Sequence, residues 1–283
     1  MAKHNLFLGT GSGSVGDVVV MRREGVQVQR VRVREIANPK TVGQASQRNF
    51  LAPVAKFYAP FAVALEKSWE GLNKSKSYSA FLKKNIERAR ANGYYLPKGQ
   101  AFFPMPYQLS NGTLPSIRAI CYTTNHSIEI NGDFSGVTGW GEFSQKMIDN
   151  FGLENGDQLT FIAVGKVEDG VYIPMFDRMY LDISSVLTMA AQFENSPFKL
   201  LGTPSATTIE FDSKNSNTPI VACAVIASRW DGDKWRRSIE YLECDRTVIA
   251  AITGAAAEAA AIDSYRDSAT ANASDVYLNG SNG

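Results

Sequence analysis

Hydrophobic and polar positions change period twice along the chain, and each change marks a different kind of element. From Val15 to Met21 the residues are mostly apolar and β-branched apart from Gly16-Asp17, Arg22-Arg23-Glu24-Gly25 supplies a turn, and Val26 to Arg34 alternates. This predicts a β-hairpin over residues 15–35. The alternation shifts phase inside its second strand. Val26 and Val28 share a face with Arg30, Arg32 and Arg34, whereas Gln27 and Gln29 share one with Val31 and Val33. Either a bulge lies between residues 28 and 31 or the strand passes from one packing environment to another. Both readings put Arg30, Arg32 and Arg34 in a row, roughly 6–7 Å apart.

The period then becomes helical. Asn38-Pro39 is a turn, and Thr41 with Gln44 has the spacing of a capping box. Phe50, Val54, Phe57 and Phe61 follow at helical spacing, with Leu51, Tyr58 and Leu65 widening the apolar face. Pro53 and Pro60 lie within this pattern and predict a kink or a break. A second helix fits Ser77 to Asn92, with Tyr78, Phe81, Leu82 and Ile86 inward, Lys83, Lys84, Arg88 and Arg90 outward, and Gly93 as its stop. Residues 94–117 hold four prolines and five aromatics without a helical period. They read as a linker lying along a surface, and the domain boundary is expected there.

Beyond residue 117 short strands predominate. They are expected at Arg118–Thr123, Ser127–Ile130, Gln158–Val164, Val171–Ile173, Met179–Ile183, Thr207–Phe211, Ile220–Ser228 and Arg237–Leu242, with one short helix at Phe143–Phe151. Trp230-Asp231-Gly232-Asp233-Lys234-Trp235 reads as a hairpin tip. The tryptophans there read first as packing residues, and a carbohydrate-binding sandwich is a lesser reading. The fold class expected is α+β: an N-terminal β-hairpin plus helices, then a β-sandwich-like (Ig-like) domain and an Ala-rich C-terminal tail. The corresponding segments are residues 1–93, 94–117, 118–249 and 250–283. The alanine run favours helix by propensity, and the last dozen residues are small and polar, so the tail is expected to fray or to order against another subunit.

Composition narrows the classes. The 283 residues, 44% hydrophobic and 20% charged, suffice for one large or two medium domains. No apolar run approaches the ~20 residues of a membrane span, and the start MAKHNLFLGTG lacks the pattern of a secretory signal. Three cysteines, Cys121, Cys223 and Cys244, without paired spacing suit reduced thiols rather than a disulfide framework or zinc site. The net charge of +1 conceals an asymmetry. Residues 1–100 hold 17 Lys and Arg against 6 Asp and Glu (net +11), and the remainder 12 against 22 (net −10). The first half is therefore expected to face an acidic partner.

The opening GTGSGSVGDVVV contains a G-x-G-x-x-G pattern, but a dinucleotide site needs that motif to lead into a helix, and here it leads into a strand. A kinase loop would need V-A-I-K, H-R-D and D-F-G motifs elsewhere, and a phosphate loop needs G-K-[ST]; the chain has none of them. Gly11, Gly13, Gly16 and Gly25 are read instead as structural turn residues, conformational relief that lets the backbone turn sharply or pass close to a partner. His4 and His126 are the two histidines, and neither stands in a metal or nucleophile signature. No catalytic residue, metal, cofactor or small-molecule substrate is therefore expected. The functional candidates are Arg22, Arg23, Arg30, Arg32, Arg34, Lys40 and Arg48, as contacts to a partner protein or to nucleic acid. No aromatic lies between Val15 and Asn49, so contact with nucleic acid would be electrostatic rather than stacked. Arginines guarding an exposed strand edge are the third reading.

The stretch GSVGDVVVMRREGVQVQRVRVREIANPKTVGQASQRNFLAPVAKFYAPF resembles the opening of an uncharacterised family of proteins from Bacteroidetes and their phages. Its mark is a glycine-rich start and basic hairpin, then Asn-Pro-x-Thr-x-x-Gln-x-x-x-Arg before a helix. Asn38, Pro39, Thr41, Gln44 and Arg48 occupy those positions, with Trp69 further on. The resemblance covers roughly the first 90 residues. It implies a structural, non-enzymatic protein of the virion, located there or in the host bacterial cytoplasm before assembly. Its partners would be copies of itself, other virion proteins or phage nucleic acid.

Overall fold

The structure is a computed structural model that describes residues 3–5, 10–15, 17–23, 26–32, 42–98, 102–122, 126–167 and 170–265. The chain divides into a small unit built around residues 1–40 and a large one spanning Thr41–Asp275.

The small unit is an antiparallel sheet of β1 (Lys3–Asn5), β2 (Thr10–Val15), β3 (Val18–Arg23) and β4 (Val26–Val31), in that spatial order. Here the structure corrects two expectations. Gly11 and Gly13 are not turn residues: the sequence TGSGSV is β2 itself, paired with β1 on one side and β3 on the other. Glycine is a poor strand former alone, and ladders on both sides supply what its side chain does not. The β3–β4 register runs without interruption from Val18↔Val31 to Arg23↔Val26, so no bulge accompanies the phase change. The turn at residues 24–25 and the positions of Gly16, Asn38, Pro39 and Thr41 lie outside the described residues.

In the large unit α1 (Val42–Tyr58) carries Pro53 inside it and ends two residues before Pro60, where the pre-proline position disfavours helical backbone. The break is therefore at Pro60, not Pro53. Gln44 lies in the first turn of α1, and its expected capping partner Thr41 is outside the described residues. The second helix, α2 (Lys74–Asn92), starts three residues earlier than the periodicity suggests, because Asn73 accepts a hydrogen bond from the Lys76 N–H. Gly93 closes it at φ 63°.

Two further antiparallel sheets follow. One has the order β5 (Ile120–Tyr122), β6 (Ser127–Asn131), β10 (Thr208–Ser213), β9 (Phe198–Leu201); the other runs β12 (Trp235–Arg237), β11 (Ile220–Trp230), β7 (Gln158–Lys166), β8 (Tyr172–Tyr180), with β13 (Glu243–Cys244) also on β11. Val171–Ile173 and Met179–Ile183, expected as separate strands, mark the two ends of the single strand β8, which stops at Tyr180. Pro174 is accommodated because β8 is an edge. The two sheets share one core with α3 (Trp140–Phe151), in which Phe161, Phe193, Phe198 and Phe211 meet at centroid distances of 5.2–6.1 Å. Near it lies the short α4 (Met189–Gln192), which had no periodic signal.

The other face of β7 and β11 is buried too. Ile162, Val164, Ala222, Ala224 and Ile226 join Phe57, Phe61, Phe81 and Tyr107 in a second core beneath α1 and α2. The unit thus has three layers: helices, one sheet, and a second sheet. This moves the division of the chain away from residues 94–117. Leu96, Phe103, Met105, Tyr107 and Leu109 of that stretch are buried in the helical core. Asn85 of α2 fixes its backbone, accepting from the Gln108 N–H at 2.7 Å and donating to the Gln108 carbonyl at 2.9 Å. On its other side the Leu109 N–H donates to the Glu240 carbonyl and the Leu242 N–H to the Tyr107 carbonyl. Gly112 permits the closest approach: a Cβ there would stand 2.3 Å from the Arg237 carbonyl oxygen.

The alanine-rich tail is partly built in. After α5 (Arg246–Ala250), α6 (Ala255–Tyr265) lies against α1 with Ala261 fully buried, and Ser264 Oγ accepts from the Lys98 N–H. Residues 266–283 lie outside the described residues.

Because both cores meet on β7 and β11, Phe57→Ala in the helical core and Phe161→Ala between the sheets should each lower the unfolding free energy by about 3–5 kcal/mol. Each variant should still unfold in one step. Denaturant titration followed by tryptophan fluorescence and far-ultraviolet circular dichroism checks this: non-coincident curves would mean that the helical layer melts alone.

Candidate functional site

The basic sheet presents Arg30 opposite Val19 and carries Arg32 just past the end of β4, where its N–H donates to the Asp17 carbonyl. Both side chains are exposed, and among the described residues neither forms an ion pair. Around them Val18 and Val28 are each 39% exposed and Val31 is 72% exposed, while Val20 is the one buried side chain described in this sheet. Arg22 and Arg23 sit at the opposite end of the hairpin, in register with Gln27 and Val26. Arg34, Lys40 and Gly25 lie outside the described residues. Arg48 belongs to α1 in the large unit and is half-buried. The predicted set is therefore divided, and Arg30 with Arg32 is the part the structure presents together.

The charge asymmetry divides in the same way. Residues 1–40 hold 7 Lys and Arg against 3 Asp and Glu (net +4), and residues 41–100 hold 10 against 3 (net +7). Some of the second group is used in packing: the Arg88 guanidinium covers the Tyr241 ring at 4.6 Å, and that of Arg90 faces Phe50 at 5.4 Å.

A second feature has no counterpart in the basic-residue reading. A cleft of about 510 Å³ opens at the Trp230–Trp235 hairpin, with Tyr180 at the end of β8 and the turn Glu154–Asp157 along its sides. The tip forms as its sequence predicts: the Asp231 N–H donates to the Lys234 carbonyl and Gly232 takes φ 93°. Trp230 and Trp235 face each other across the ladder at 5.5 Å between ring centroids. Trp230 is 52% exposed and Tyr180 55%, so neither is a simple packing residue. Arg229 makes a bidentate pair with the buried Asp157, Nε to Oδ1 at 2.8 Å and Nη2 to Oδ2 at 2.7 Å, and its third nitrogen reaches Glu154. These carboxylates hold the guanidinium pKa above its usual value, the hydrogen bond to Asp157 first.

Beside the cleft, Arg237 is only 8% exposed and meets no carboxylate oxygen within ion-pair distance among the described residues. Its contacts are one long hydrogen bond to the Arg236 carbonyl and the face of Trp235, 4.7 Å from guanidinium carbon to ring centroid. Burial, reinforced by the Arg178 charge, lowers its pKa to about 10. The cleft residues come from three distant segments, and no local sequence pattern brings those segments together.

Other reactive groups have structural roles. Cys121, Cys223 and Cys244 are buried free thiols, and burial raises those of Cys223 and Cys244. Glu240, raised by burial, accepts from the Ile117 N–H and the Ser116 hydroxyl, which fastens the end of the buried 102–117 segment. His126 sits in the turn before β6 at φ 53°. Among the described residues no group of three His, Cys, Asp or Glu is placed to hold a metal ion, and no helix is long and apolar enough to cross a membrane.

Residues 10–98 match the family of unknown function DUF6266. No curated protein and no solved structure matches the chain. The matched stretch takes in β2 to β4 together with α1 and α2, so it draws on both units.

Asp231 provides a pH test of the hairpin. Backbone N–H donation from Lys234, then the Arg236 guanidinium and the Asp233 N–H, lower its pKa to about 2. A depressed carboxylate stabilises the fold fully above its unfolded pKa, near 3.9, and ceases to do so as the pH falls through the folded value. Carboxyl NMR should therefore show Asp231 titrating near 2, with the Trp230 and Trp235 signals shifting in the same range. Titration near 4 would show that the turn does not hold the charge.

Proposed function

We propose that this chain is a non-enzymatic structural protein that works by assembly, as a component of a bacteriophage virion, through subunit contacts of its basic N-terminal sheet. One observation carries the reading: a four-stranded sheet with one buried side chain described exposes Val18 on β3, Val28, Arg30 and Val31 on β4 and Arg32 just beyond it, and neither arginine forms an ion pair among the described residues. A sheet that small gains little stability from its own burial and is favoured by a covering surface. The outer edge of β4 has no strand partner among the described residues, which offers backbone donors and acceptors for strand addition. Arg30 and Arg32 select an acidic counterpart, for which the net −10 of residues 101–283 in a neighbouring copy is suited. The resemblance of the chain's opening to phage-encoded proteins supports the virion. Before assembly, the protein would reside in the host cytoplasm.

The second reading is a phage or mobile-element protein that binds single- or double-stranded DNA with the same sheet. Two exposed guanidiniums two residues apart favour it, since they suit successive phosphates, and contact would be with the backbone.

Light scattering after size exclusion separates the two. For assembly, the full chain should oligomerise without nucleic acid and deletion of residues 1–36 should leave monomers. Arg30→Ala with Arg32→Ala should weaken association roughly five- to thirtyfold. For nucleic acid, affinity for oligonucleotides should fall steeply with salt, with a slope reduced by about two in the double variant. A monomer indifferent to salt, to DNA and to both variants would overturn both readings.

A further inference from the structure

The cleft at the tryptophan hairpin differs in chemistry from the basic sheet. Its aromatic surfaces are exposed, but its charges are spent on each other: Arg229 on Asp157 and Glu154, and Arg236 Nε on Asp231 at 3.0 Å. Three carboxylates stand against two guanidiniums, so the lining repels a polyanion and offers an anion no unpaired cation. What remains free is a mixture of donors and acceptors. The terminal nitrogens of Arg236 have no partner among the described residues, the second carboxylate oxygen of the exposed Glu154 is unused, and Asn155 accepts from the Ile183 N–H through Oδ1, which leaves its amide nitrogen.

From this juxtaposition we infer that the cleft binds a neutral saccharide, with a pyranose ring laid on Trp230 beside Tyr180 and its hydroxyls on Arg236, Asn155 and Glu154. A sugar has an apolar C–H face for an aromatic ring, and each hydroxyl both donates and accepts, which is what a wall of interleaved donors and acceptors requires. The volume lies within the range of small-ligand sites, about 300–1,000 Å³.

The site is held before any ligand arrives. The turn Glu154–Asp157 is tied to the end of β8, the Gly156 N–H donating to the Leu181 carbonyl and the Leu181 N–H to that of Asp157. The Tyr180 carbonyl accepts from the Trp140 indole at 2.9 Å. Arg237 acts here as a positioning residue: its buried guanidinium lies against Trp235, which in turn faces Trp230. That contact gives a buried cation without a carboxylate a place in the fold.

The test uses the full-length chain, fluorescently labelled, on an array of neutral gluco-, manno-, galacto- and N-acetylglucosamine oligosaccharides that also carries sulfated glycans. Isothermal titration with the strongest neutral binder follows. At least one neutral oligosaccharide should bind, with an affinity nearly constant between about 0.05 and 0.5 M salt. Trp230→Ala and, separately, Arg236→Gln should each weaken it about tenfold or more, with far-ultraviolet circular dichroism unchanged because both side chains are at the surface. Deletion of residues 1–36 should leave the affinity intact, which separates this site from the basic sheet. The inference is overturned if no neutral saccharide binds, if binding is confined to sulfated glycans, or if Trp230→Ala leaves saccharide affinity untouched. It is also overturned if that variant weakens only self-association, which would make the cleft a protein contact.

Discussion

The pairing of β7 with β11 is the constraint from which the large unit is built. Eight register pairs join them, and both strands are covered on both faces. Leu159, Phe161 and Ala163 alternate with Ile162 and Val164, and Cys223, Val225 and Ala227 with Ala222, Ala224 and Ile226, so successive residues serve different cores. A polar substitution on either face would strand an unpaired group in low dielectric. The alanines matter on the helical side, where short side chains leave room for Phe57, Phe61 and Tyr107 to fill the space beneath α1 and α2.

That double burial explains what could and could not be read from the chain. Elements with one wet face announce themselves by period: α2, β6, the second strand of the basic hairpin and the Trp230–Trp235 tip all stand where alternation, caps and turn residues indicate. A strand wet on neither face becomes a continuous apolar run such as Ile220–Ala227, which identifies a strand but not its neighbours. For the same reason residues 94–117 read as a linker. Their prolines remove helical and strand periodicity, yet the backbone of Tyr107, Gln108 and Leu109 is anchored from outside the segment, by Asn85 and by the backbone of residues 240 and 242. Pairing on both sides likewise makes a strand of Thr10–Val15, whose glycines propose a turn when taken alone.

Of the two candidate surfaces, the sequence exposes the one made of neighbouring residues. Alternation along the chain sets Arg30 and Arg32 two residues apart at the end of β4, whatever they pack beside. The cleft is assembled from residues 154–157, 180 and 229–236, and no local pattern links these segments. Its ion pairs depend on strand order, since Arg229 reaches Asp157 only because β11 lies beside β7. Charge counted along the chain is an equally indirect guide. The positive excess of the first hundred residues is shared between two units, and Arg88 and Arg90 lie on aromatic rings of the large unit, Arg88 also donating to the Pro106 carbonyl.

The two surfaces answer differently to their surroundings, and this follows from how their charges are satisfied. On the basic sheet the Arg30 and Arg32 guanidiniums are exposed and form no ion pair among the described residues, so attraction to a partner would be long-ranged, non-specific in geometry and weakened by salt within a Debye length of about 8–10 Å. In the cleft, the Arg229–Asp157 pair is partly withdrawn from water and already neutral as a unit. Its contribution is therefore shape and direction: it fixes the walls and cancels the field. A chain that grips by charge at one site can tolerate imprecise placement there, because electrostatic attraction falls slowly with distance. Recognition by ring faces and single hydrogen bonds cannot, since each is lost within about an ångström. On the proposed roles, the triple-layered unit carries the second kind of surface and the four-stranded basic sheet the first.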